Sequence, residues 1–126
     1  VGELPHRQSQ EDPRPELPAA LDRWRDVLRS VIGALQDFGN RKRLTDEMLQ
    51  IYIDDLNKIA MEISKLIMNS PRNVSRRLQK LLNPILAALR KLDEAKEAYL
   101  RGNDSLWYVD QAFSKLLEAS SEFESL

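Results

Sequence analysis

Residues 72–101 read RNVSRRLQKLLNPILAALRKLDEAKEAYLR. Within them Val74, Leu78, Leu81, Ile85, Ala88, Leu92, Ala95 and Tyr99 follow one another at alternating spacings of four and three. A helix turns once in about 3.6 residues, so side chains spaced this way share one face. A half-buried strand would alternate with period two instead. Leu82 and Leu89 broaden the stripe. The segment therefore predicts one long amphipathic helix whose apolar face must be covered. Pro84 interrupts it, and the ring removes a backbone donor and crowds the preceding turn. The stripe keeps its phase on both sides, so a helix kinked near Asn83 is expected rather than two helices. Such a kink reads either as local strain or as a bend that sets register.

The flanking sequence supplies the cover. Upstream, Leu49, Tyr52, Leu56, Ile59, Ile63 and Leu66 form a second heptad stripe, widened by Ile53, Ala60 and Ile67. It predicts a helix over about 45–69, with Thr45 as N-cap and Asp46 and Glu47 at the positive end of the dipole. Ser70-Pro71 then reads as cap and first residue of the next helix. Further upstream, Leu17, Leu21, Trp24, Leu28, Val31, Leu35 and Phe38 predict a helix over about 17–38, stopped by Gly39-Asn40. Trp24 falls on its apolar stripe and is expected in the core. Downstream, Gly102-Asn103-Asp104 reads as stop, turn and new cap. Leu106, Val109, Phe113, Leu116, Ser120 and Phe123 predict a last helix over about 105–124.

Short connections make sequential helices antiparallel neighbours. The expected fold is all-α: an antiparallel up-and-down four-helix bundle over 17–126, with a long dimerising hairpin as its rival. Residues 1–16 (VGELPHRQSQEDPRPE) hold three prolines and little that is apolar. They read as a flexible, disordered tail or linker. The chain begins at Val1 rather than Met, as an excised domain or processed product would.

Composition narrows the function. The 126 residues give room for one core, and the net charge is −1. That balance gives the whole molecule no pull toward nucleic acid or anionic membrane. No apolar run approaches the length of a membrane span, and no signal peptide is visible. There is no Cys, hence no disulfide, thiol nucleophile or thiolate metal site. An intracellular, cytoplasmic location is the matching expectation. His6 is the one histidine and lies in the tail, which removes His-based catalysis and His–metal motifs from the helical part. The carboxylate pairs Asp54/Asp55 and Asp93/Glu94 point about 100° apart on their helices and read as solvated charge. No phosphate loop, dinucleotide fingerprint or EF-hand loop is present. The expectation is a non-enzymatic protein with no cofactor, no metal and no small-molecule substrate.

Two surfaces stand out. Trp107 and Tyr108 lie off the stripe of the last helix, as a protein-binding pair would. The structural alternative is that Trp107 folds back over the turn near Tyr99 and staples it. The second surface is electrostatic. Residues 72–101 carry eight cations against Asp93, Glu94 and Glu97, a net of +5, whereas residues 102–126 carry Lys115 against five carboxylates, a net of −4. One reading is that neighbouring helices use opposite charge to choose each other. The other is that Arg72, Arg76, Arg77 and Lys80, or the loop cluster Arg41, Lys42 and Arg43, bind phosphates. In an up-and-down bundle those two clusters lie at opposite ends. The preferred function is a helical protein–protein interaction or assembly module within a larger complex, its partner another protein or itself. A nucleic-acid-binding helical subunit is the alternative.

Overall fold

The structure, a computed structural model, describes residues 17–41 and 45–124, and of 38–41 the backbone only. The expected tail over 1–16 lies outside the described residues. Four helices follow one another: α1 (Leu17–Arg41), α2 (Asp46–Asn69), α3 (Arg72–Leu100) and α4 (Leu106–Glu124), with no strand among the described residues. They pack as a four-helix bundle in a ring. α3 packs most extensively on α4 and α2, and α1 leans on α4 and only loosely on α2.

The polar contacts between helices show why neighbours run antiparallel. Arg23 and Trp24, early in α1, reach Glu62, late in α2. Gln50, early in α2, accepts from Lys96, late in α3. The Arg25 guanidinium in α1 lies 5.7 Å from the ring centre of Phe123 at the end of α4. The Lys91 ammonium in α3 lies 5.2 Å from the ring centre of Trp107 at the start of α4. Each adjacent pair thus has at least one directional contact beside its non-directional apolar packing, and directional contacts fix register.

The core follows the predicted stripes for the first three helices. Trp24, Leu28, Val31 and Leu35 of α1 are buried, as are Leu49, Leu56, Ile59 and Ile63 of α2 and Leu78 through Ala95 of the α3 stripe. At the ends of the α3 stripe, Val74 is half-buried and Tyr99 is exposed. α4 departs more. Its buried line is Val109, Ala112, Leu116, Ala119 and Phe123, while Leu106, Phe113 and Ser120 are only half-buried. The helix is rotated so that small alanines face the centre. Alanine lets the axes approach closely, which matches the extensive α3–α4 packing.

Helix ends correct two expectations. α1 runs through Gly39-Asn40 to Arg41. Pro71 sits outside α3 as its N-cap, with no side-chain cap bond. The connection is tied instead by the Ser75 hydroxyl, 2.6 Å from the Ile67 carbonyl and 3.2 Å from that of Ser70. α3 is one continuous helix through Pro84, as the unbroken phase of its stripe predicts, although the Lys80 carbonyl loses its intrahelical donor. Thr45 caps α2 as expected, accepting from the Met48 N–H. α3 ends at Gly102 with φ +77°, where Asn103 N–H donates to Ala98 and Gly102 N–H to Tyr99. This pair of bonds is the Schellman closure that favours glycine. Asp104 then accepts from the Leu106 N–H and starts α4.

Candidate interaction surface

Trp107 enters α4 one residue after its first position, two residues before the buried Val109, and so points away from the core. It is 57% exposed. Its ring is nonetheless held on two sides. Tyr108 meets it edge-on, with centroids 5.1 Å apart and planes at 86°. Lys91 places its ammonium against it from α3. The Lys91 ammonium also lies 3.7 Å from Glu94 one turn on. Tyr108 differs from expectation: it is half-buried and packs against the core. The pair is therefore one anchored ring and one presented ring. The contacts that hold the Trp107 ring are thus those with Tyr108 and Lys91. Beside Tyr108 a polar pocket of about 280 Å³ opens at the α3–α4 turn, lined by Glu94, Glu97, Ala98, Arg101, Asn103 and Asp104 as well.

Arg72, Arg76, Arg77 and Lys80 are all exposed and make no ion pair among the described residues. Arg41 ends α1, its side chain undescribed, and Lys42 and Arg43 lie outside the described residues. The end of α1 and the start of α3 fall at opposite ends of the bundle. The ion pairs of Lys91, Arg101 and Lys115 are made within their own helices, to Glu94, Glu97 and Glu118. Opposite charge on α3 and α4 is thus largely spent along each helix or left to solvent.

One polar cluster escaped the sequence reading. The buried Trp24 donates its indole N–H to Glu62 at 2.8 Å, and Arg23 donates to the same oxygen at 2.6 Å. These hydrogen bonds, Arg23 first and then Trp24, hold the Glu62 carboxyl below its usual range against a smaller opposing effect of burial. The three residues border an open groove of about 600 Å³ between α1 and α2, with Ala19, Ala20, Lys65 and Leu66. The available signal was Trp24 itself, since a buried indole N–H usually finds an acceptor. Nothing in the sequence named Glu62 as that acceptor.

Among the described residues no group of three His, Cys, Asp or Glu side chains is placed to hold a metal ion, and no helix is long and apolar enough to cross a membrane. Fold and surface together define a four-helix bundle with a presented aromatic edge. No protein-family model, curated protein or solved structure matches the chain.

Proposed function

We propose that the protein is a non-enzymatic helical interaction module that docks through the α3–α4 edge around Trp107. The observation that carries this reading is a tryptophan more than half exposed yet fixed in place by Tyr108 and Lys91. A large ring in water gives up favourable burial, while a ring already ordered has little rotamer freedom left to lose on docking. Those are the properties of an interface anchor. Lys91 and Glu94 at its border supply rim charge, which steers encounter and register more than affinity.

Site-specific photo-crosslinking tests the reading. A benzophenone side chain replacing Trp107 is expected to give discrete adducts in cells. The same group at Lys58, exposed on the outer face of α2, is expected to give none. Equal labelling from both positions contradicts the reading.

A second reading has one observation behind it: four exposed cations without an ion pair within residues 72–80. Nucleic-acid binding through them requires an affinity that falls steeply with salt. Filter binding at two salt concentrations, with Arg76→Ala/Arg77→Ala as the control, separates it from protein docking.

A further inference from the structure

We infer that the outer side of the α2–α3 seam is a second docking face, and that it takes an acidic amphipathic helix of a partner protein. The face is separate from the Trp107 edge, so the inference goes beyond the reading above and stands or falls apart from it.

Two contacts across the seam fix which side chains line it. Gln50 of α2 accepts from Lys96 of α3, and the Ser75 hydroxyl of α3 reaches the Ile67 carbonyl of α2. Gln50 and Ser75 therefore mark the flank that each helix turns to the other. Eleven residues make about three helical turns and eighteen make about five. Met61 and Met68, eleven and eighteen residues after Gln50, share its flank, and Leu86, eleven after Ser75, shares that of Ser75. Counted from the Ile67–Ser75 contact along antiparallel helices, Met61 comes level with the buried Leu82, one turn from Leu86. These three side chains are left to water: Met68 is 84% exposed, Met61 63% and Leu86 43%. Large apolar side chains aligned at a surface mark an interaction site, and methionine adapts its shape to what it meets.

The charge beside this line has one sign. Arg72 precedes Ser75 by about a turn, and Arg90 follows Leu86 by one. Both are exposed and make no ion pair among the described residues. Residues 72–90 contain no carboxylate. Across the seam, residues 56–69 contain only Glu62, which is turned to α1 and bonded to Arg23 and Trp24. Lys58 and Lys65 belong to that other flank of α2: Lys58 acts on the Glu62 charge, and Lys65 borders the α1–α2 groove. The exposed Asp54 and Asp93 bound the face at its far end. An apolar line beside unpaired guanidiniums matches a helix with an apolar stripe flanked by carboxylates. Arg72 and Arg90 lie about 27 Å apart along the axis, so a partner helix of about 18 residues spans them. A phosphate backbone gains nothing from Met61, Met68 and Leu86, and a flat anionic bilayer meets Asp54 and Asp93 as well.

Fluorescence anisotropy on the full chain tests the proposal. The probe is a labelled peptide of about 18 residues with leucines at helical spacing and glutamates between them. Saturable binding is expected below about 0.5 mM, and at least about tenfold weaker binding when lysines replace the glutamates. Met61→Ser/Leu86→Ser and Arg72→Glu/Arg90→Glu are each expected to weaken the acidic peptide by about tenfold or more. Trp107→Ala is expected to leave it unchanged. Helical circular dichroism confirms that the variants are folded. No saturation, equal binding of the lysine peptide, wild-type affinity in either double variant, or loss of binding in Trp107→Ala overturns the proposal. So does co-sedimentation with phosphatidylglycerol vesicles, or a doubled mass in light scattering, that disappears in Met61→Ser/Leu86→Ser, because the face then belongs to lipid or to a second copy. Crosslinks from Trp107 report on the other edge alone, so they separate failure of this face from failure of that one.

Discussion

Glu62 is the residue at which electrostatics and packing meet. One oxygen accepts from an exposed guanidinium and from a buried indole. A carboxyl held below its ordinary value of 4.5 stabilises the fold where it is charged. That contribution is present above the unfolded-state pKa and is lost as pH falls through the lower folded-state pKa. Glu62→Gln is therefore expected to be less stable than wild type at pH 7 by up to about 1 kcal/mol, the scale of a part-exposed pair. The gap should close as the pH is lowered from about 5 through the folded-state value. Urea titrations at pH 7 and pH 3 check this, and a gap that widens in acid contradicts the assignment. Trp24 was legible as a core residue because its spacing placed it on the stripe. Its acceptor was not, because a contact across 38 positions depends on how α1 and α2 pack.

At the scale of elements, periodicity placed every helix to within a few residues. Gly39-Asn40 did not stop α1, because glycine in a helix costs only about 1 kcal/mol. The stripe of α4 was read through Phe113 and Ser120, but α4 turns Ala112 and Ala119 inward. Hydrophobic size favoured phenylalanine, whereas close approach of two helices favours alanine. Pro84 raises a sharper question. α3 continues through it, so the lost Lys80 bond is a standing cost unless the local bend improves packing of Leu81, Leu82 and Ile85. Pro84→Ala is expected to stabilise the protein by about 1–3 kcal/mol, read as a higher urea midpoint at unchanged slope. A lower midpoint shows instead that the bend serves the core.

For the molecule as a whole, the helices are unequally tied in. α3 is enclosed by α2 and α4, whereas α1 has one good neighbour and an open groove beside it. Opening free energy follows buried contact, so amides of α1 should exchange with solvent sooner than those of α3 under native conditions. Uniform protection across the bundle contradicts that ordering. Of the candidate surface, the sequence disclosed the residue types and little of their arrangement. That Trp107 faces out followed from the position of Val109. That Tyr108 faces in, and that Lys91 comes across from α3, depended on the α3–α4 register.

The two tryptophans offer the most direct test of the account, which gives one to the fold and the other to a partner. Trp24 is 1% exposed and Trp107 is 57% exposed. Urea unfolding of Trp24→Ala and Trp107→Ala, side by side in dilute solution, separates the roles. The account predicts a loss of about 3–5 kcal/mol for Trp24→Ala and no more than about 1 kcal/mol for Trp107→Ala. A loss at Trp107 as large as that at Trp24 would make the ring a structural staple and contradict the account.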